Sequence, residues 1–319
     1  MTDKALVSII IPTYNRASII RGALDSALRQ TYPNKQIIVV DDGSTDDTES
    51  VIRSYPEVEY VRRPNGGQAA ARSTGLEHAK GAYIATLDSD DSWEPDFLSE
   101  CIQTLEEEEL DFVFANWNQQ WADGTIVDYF ETFAYLQPYL AGKTGSRILF
   151  TYPELRSLYV ECCPSPSSSI LIRRSSFVTA WNERMHIADD WCIQLDIVLS
   201  KETRAGLIRK KLWNKRINDD NIYDGRDYYE VLKLMYVEDT YEMLHRYAGR
   251  LSRSEVKVMQ HRILENTIKM AKYSWTTKSC YSQTARKIVR GFLLNPLLFI
   301  NMLWKPLRRR LKNRLSPSS

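Results

Sequence analysis

The chain has 319 residues, 43% of them hydrophobic, with 42 Lys and Arg against 41 Asp and Glu. This is enough to bury one large or two small cores, and it excludes a disordered polymer. No apolar run reaches the roughly 20 residues of a membrane span, and Ala5–Pro12 is too short and too poorly flanked for a signal peptide.

The cysteines are Cys101, Cys162, Cys163, Cys192 and Cys280, an odd number without metal-ligand spacing. Such usage fits a reducing, cytoplasmic setting. In a strand the neighbours Cys162 and Cys163 would point apart, which argues against a metal or redox pair.

The first 115 residues alternate between strand-like and helix-like patterns. Val7–Pro12 is a continuous apolar run, as in a buried parallel strand. Ile19, Ile20, Ala23, Leu24, Ala27 and Leu28 then recur with helical spacing, and Pro33 follows. Gln36–Val40 reads as a second strand, and Asp46–Glu49 as a helix start with acids at its positive end. Val58–Val61, Tyr83–Leu87 and Asp111–Ala115 read as further strands, with a loop and an alanine-rich helix over Gly66–Lys80 and another helix over Glu94–Glu107.

This alternation predicts an α/β fold, a mostly parallel central sheet flanked by helices, with ligands at the carboxyl ends of the strands. Residues 117–165 have many aromatics and few clear periods. Beyond them, Ser168–Ile172, Arg204–Ile208 and Leu212–Ile217 read as strands. Asp190–Leu199, Tyr228–Tyr247 and Ser254–Trp275 read as helices.

The strand ends carry the chemistry: Pro12–Asn15, Asp41–Ser44 and Asp88–Asp91. Asp88 and Asp90, two apart after a buried strand, face the same way in extended chain. Paired carboxylate oxygens suit Mg²⁺ or Mn²⁺, with phosphate oxygens completing the shell. The bland reading of Asp-Ser-Asp is a solvated acidic turn, and its place at a strand end favours the site. One carboxylate of Asp41-Asp42-Gly43-Ser44 can accept from a base nitrogen, while the others cap a helix. Tyr14 can stack on a planar base or fill a core. Neither G-x-G-x-x-G nor a P-loop occurs near these strands, which argues against a dehydrogenase or a P-loop ATPase.

Four segments then resemble the family 2 glycosyltransferases of GT-A fold: Val7–Arg16, Val39–Asp46, Ala71–Gly75 and Leu87–Asp91, in order and at the family's spacing. The resemblance covers about residues 5–220. It implies that Pro12 and Tyr14 line a nucleobase pocket, Asp42 bonds the base and Arg72 supports it. Asp88 would lie by the ribose and diphosphate, and Asp90, with Asp88 next, would bind a divalent metal, Mg²⁺ or Mn²⁺. Ser73 stands where the family often has Asn. Asp189-Asp190 stands where it commonly has Glu-Asp, which implies Asp190 as general base. Without the resemblance the pair is equally a helix N-terminus, and His186, four residues earlier, is an alternative base.

The function so implied is inverting transfer of a sugar from a nucleotide-diphosphate sugar, UDP-linked in most of the family, to a hydroxyl of a glycan or lipid-linked acceptor. A sugar-nucleotide nucleotidyltransferase would want a glycine-rich loop after the first strand, where this chain has Pro12–Arg16. A non-catalytic nucleotide-sugar-binding protein would have lost the acids. A processive synthase would need membrane spans and a downstream Gln-x-x-Arg-Trp.

The expected organisation is a catalytic domain over 1–220, divided into a nucleotide half (1–116) and an acceptor half (117–220), and a helical region over 221–319. Nine basic residues and no acid lie from Arg286 onward, leaving 33 basic and 41 acidic residues before it, a net of −8. This basic tail around the apolar Phe292–Trp304 suits the anionic inner face of the cytoplasmic membrane, or else a helix packed on the protein. The acidic globule argues against nucleic acid.

Overall fold

The computed structural model describes residues 4–121, 123–217, 226–277 and 281–304. The chain forms two compact units, Met1–Gly225 and Arg226–Ser319.

The first unit opens with strands β1 (Val7–Thr13), β2 (Lys35–Asp41), β3 (Val58–Arg62) and β4 (Tyr83–Thr86), joined by helices α1 (Ile20–Leu28), α2 (Thr48–Arg53) and α3 (Gln68–His78). All seven residues of β1 are buried, as required of a central strand covered on both faces. β1 pairs in parallel with β2 and β4, and β2 with β3. Ala71 and Ala79 press the α3 segment onto Ile10, Ile38, Val40 and Ile84.

The backbone approaches closely where α3 leads into β4. A Cβ on Gly81 would lie 2.5 Å from Ser8 N and 2.7 Å from Leu6 O. Gly81→Ala is therefore expected to cost about 1–3 kcal/mol by overpacking. Urea unfolding measures it, and a loss below about 0.5 kcal/mol, the size of an ordinary surface change, would contradict the contact.

The unit continues through β5 (Asp91–Trp93), α4 (Phe97–Glu107), β6 (Phe112–Trp121), β7 (Ile126–Asp128), single turns α5 (Tyr129–Thr132) and α6 (Gln137–Leu140), β8 (Arg147–Phe150), α7 (Tyr152–Glu161), β9 (Ile170–Arg173), α8 (Asp189–Val198) and β10 (Ala205–Ile217). The strand order is β3-β2-β1-β4-β9-β6-β10-β5, with β7 on β6 and β8 on β10. β9 is antiparallel to both β4 and β6, and β5 is antiparallel to β10. The fold is thus the expected α/β sheet flanked by helices, mostly parallel.

Three details differ from the sequence reading. Ser167–Ser169 is a 3₁₀ turn, and its strand starts at Ile170. The two stretches expected over 204–217 are one strand, whose register shifts between Ile208 and Trp213 interrupt the alternation. β5 hides inside the acidic motif, too short to show a period.

The second unit is helical. It runs through α9 (Tyr228–Val231), a π-helical turn (Leu232–Glu238), α10 (Asp239–Arg246), α11 (Arg253–Thr277) and α12 (Tyr281–Leu294), with helical turns over 296–304. Tyr229, Leu232, Val237, Ile263 and Met270 form its core. Lys287 and Arg290 both pair with Glu238, and Arg290 lies 3.7 Å over the Tyr241 ring. The Lys305–Arg314 cluster and Cys280 lie outside the described residues. Among the described residues, no helix is long and apolar enough to cross a membrane.

Candidate functional site

The carboxyl ends of β1 and β2 are laced together. Asn15 adopts a left-handed φ of 51°, which Asn tolerates. Its Oδ1 accepts from Thr45 N at 2.8 Å, and its own N–H donates to Ser44 Oγ at 2.9 Å. Pro12 is buried in β1, and Tyr14, 46% exposed, stands at the edge with its ring open to stacking. Asp41 accepts from Ser44 N at 2.8 Å and from the Tyr60 hydroxyl at 2.7 Å, so it serves the framework. Asp42 accepts from Gly66 N and Gly67 N, the latter at 2.7 Å, with Arg63 3.3 Å away. Burial raises the Asp42 carboxyl, and these donors act against that rise. Asp42 therefore fixes the β3–α3 loop, with lone pairs to spare for a further donor.

The second cluster forms where β4 ends. Arg72 on α3 is 1% exposed. Its guanidinium donates to Asp88 Oδ1 at 2.6 Å and to Asp189 Oδ2 at the start of α8. Gln68, one turn earlier on α3, donates to the other oxygen of Asp189 at 2.5 Å. Arg72 thus joins the first acidic motif to the second, reaching Asp189 across 117 residues of sequence, and both of its carboxylate partners lie at this acid end.

A buried serine turn completes the joint. Ser168 Oγ donates to Asp91 Oδ2 at 2.6 Å and accepts from Asp88 N at 3.0 Å. Ser167 N donates to Asp190 Oδ2 at 3.3 Å, and the Trp93 indole donates to Ser168 O at 2.7 Å. Ser165 donates to Gln194 on α8 at 2.9 Å. The Lys215 ammonium faces the same cluster from β10, where Lys215 pairs in register with Asp91.

The two members of the Asp189-Asp190 pair differ. Both Asp189 oxygens are held, and the residue is fully buried. Asp190 is only partly covered. Burial, then the charge of Asp189, pushes its carboxyl up to about 7 against the pull of Arg72. A carboxyl so placed is suited to take a proton near neutral pH.

Burial, then Asp88, raises Asp90, and burial pushes Asp91 up to about 8, with Asp91 Oδ1 buried and unpartnered. Crowded acids of this kind fit a cation. Among the described residues no three His, Cys, Asp or Glu side chains form a ready cage. Two carboxylates plus substrate phosphates is the usual way Mg²⁺ is held, so Asp88 and Asp90 fit that role.

Four residues of this site escape a motif reading: Gln68, Ser167, Ser168 and Lys215. The run Pro164-Ser165-Pro166-Ser167-Ser168-Ser169 is the one available signal, a polar turn inside an apolar stretch.

The family model described as Glycosyl transferase family 2 matches residues 8–177, more than half of the chain. The chain belongs to glycosyl transferase family 2. Among curated relatives, it is 38% identical over 133 residues to TuaG of Bacillus subtilis (strain 168), a glycosyltransferase assigned to teichuronic acid biosynthesis. That match covers 40% of this chain and 52% of TuaG. It is 30% identical over 221 residues to an uncharacterized glycosyltransferase of Rickettsia bellii, covering 68% of this chain and 29% of that protein. The matches therefore span about half or less of these relatives.

S. aureus TarS 1-349 in complex with UDP-GlcNAc superposes with a TM-score of 0.63 at 19% identity, over 88% of this chain and 78% of that one. The mannosyltransferase PcManGT from Pyrobaculum calidifontis, in complex with GDP-Man and Mn²⁺, superposes at 0.58 and 18% identity, over 97% and 81%. At such identities the likeness shows the shared fold.

Proposed function

We propose that the chain transfers a glycosyl group, with inversion, from a nucleoside-diphosphate sugar to an acceptor hydroxyl on a glycan or lipid-linked glycan. One observation carries this reading: Arg72 holds Asp88 and Asp189 at once, so the donor-side acids and the Asp189-Asp190 pair form a single cluster. Tyr14 and Asp42 receive the base, uracil in the simplest case, beside that cluster. Asp190 takes the proton of the acceptor hydroxyl. The freed oxygen bonds to the anomeric carbon as the bond from that carbon to the diphosphate breaks on the opposite face. A Mg²⁺ or Mn²⁺ on Asp90 and Asp88 would supply positive charge to the leaving diphosphate. The solved neighbours named with UDP-GlcNAc and with GDP-Man and Mn²⁺ support a donor of this class.

The test is nucleotide release from a panel of UDP- and GDP-sugars with Mn²⁺, and NMR of the product anomer. No release from any donor, or retained configuration, would overturn the reading. Asp90→Ala is expected to weaken Mn²⁺ binding in the presence of nucleotide by at least about 100-fold, the upper range for loss of a metal's outer-shell partners. Calorimetry measures it, and unchanged affinity would move the metal elsewhere.

An anionic membrane face is the proposed location of the acceptor. Val289 and Leu293 on α12, and Leu297, Ile300 and Trp304 on the helical turns that follow it, are each at least 43% exposed. The six cations of the Lys305–Arg314 stretch follow them in sequence. Leu297→Glu is expected to release the protein from phosphatidylserine vesicles in sedimentation, and equal binding would count against this face.

A further inference from the structure

We propose that Lys215 binds the donor's diphosphate directly, as a fixed positive charge beside any divalent metal. This rests on the nucleotide-sugar reading above and extends it to a residue outside the family's motifs as quoted.

The backbone places Lys215. β10 and β5 are antiparallel, with Lys215 opposite Asp91 and Trp213 opposite Trp93. Directly opposed residues share a face, so the row runs from two buried indoles outward to the Lys215–Asp91 pair. Trp213 and Trp93 anchor the inner end of this row, and Lys215 itself is only partly covered.

The electrostatics of the cluster selects it. Asp88, Asp90, Asp91, Asp189 and Asp190 converge here, and a diphosphate must enter against them. Arg72 is already occupied by two carboxylates. Arg16 acts on Asp90 from the base end and has other partners. The Lys215 ammonium feels Asp91 first, then Asp88, Asp90 and Asp190. Among the described residues its ammonium makes neither a hydrogen bond nor an ion pair, so its three donors are available to phosphate oxygens entering this acidic cluster.

Calorimetry of UDP, GDP and their nucleosides with the full chain, in EDTA and in Mn²⁺, tests the proposal. Lys215→Met is expected to weaken diphosphate binding in EDTA by about tenfold or more, the worth of one charge-assisted contact. The deficit should shrink in Mn²⁺, Lys215→Arg should recover most of it, and nucleoside affinity should stay unchanged. Equal diphosphate affinity of wild type and Lys215→Met in EDTA would overturn the role. Equal loss of nucleoside and diphosphate would overturn it too, marking Lys215 as structural support for Asp91. Wild-type protein that binds neither diphosphate would instead remove the nucleotide-sugar reading, and the Lys215 role with it.

Discussion

Arg72→Met is expected to lower the unfolding free energy by about 3–5 kcal/mol, the usual loss when one partner of a buried ion pair is removed. The guanidinium is nearly inaccessible. Burial works against its charge, and Asp189, Asp88 and Asp190 more than offset that. Met keeps much of the volume and removes the donors. Asp189, with no exposure, is then left with Gln68 alone. Urea unfolding at neutral pH measures the loss. Combining the change with Asp189→Asn should restore part of it, because the stranded charge is gone. A loss below about 1 kcal/mol, the scale of a surface pair, would mean that Arg72 does not hold the two motifs together.

Asp190→Asn is expected to reduce transfer by about 10²–10⁴-fold, the ordinary worth of a positioned general base, while leaving nucleotide affinity intact. Because the carboxyl is pushed up to about 7, wild-type kcat/KM should rise with pH through that value as the base ionises. The variant's residual rate should lack this limb. Full transfer by Asp190→Asn would remove Asp190 from the reaction. The same group affects stability with the opposite sense. A carboxyl raised on folding contributes stability fully below its ordinary value of 3.8, and this is lost as pH rises through about 7. Wild-type protein without ligands should therefore lose more stability than Asp190→Asn between about pH 4 and 8.

The parallel half of the sheet was legible because its strands are dominated by apolar runs: Val7–Pro12 lies within β1, and Gln36–Val40 within β2. The acids were legible because they follow those runs. The α7 helix was not proposed, although Thr151 and Glu154 form a capping box with Pro153 in the first turn, a readable signal among unpatterned aromatics. The roles of Ser168, marked only by its polar run, and of Lys215 were not legible for a different reason. Their importance comes from cross-strand and turn contacts to Asp91, 77 residues from the serine and paired with the lysine only by sheet register. Arg72 could be expected at the site from its motif, but its position at the acid end depends on Asp189, far along the chain.

The pairing of β5 with β10 also constrains the order of assembly. Asp91–Trp93 leaves the ribosome more than a hundred residues before Lys215–Trp213, the stretch it pairs with. At elongation rates of about 5–20 residues per second, the acidic motif waits several seconds or more without that neighbour. A nascent chain can complete the β1–β4 layer, with the loops that carry Tyr14 and Asp42, early, through local crossovers. The end that carries Asp91 and Lys215 must await the long-range closure. With the roles proposed for Asp42 and Lys215, base recognition precedes diphosphate recognition during synthesis.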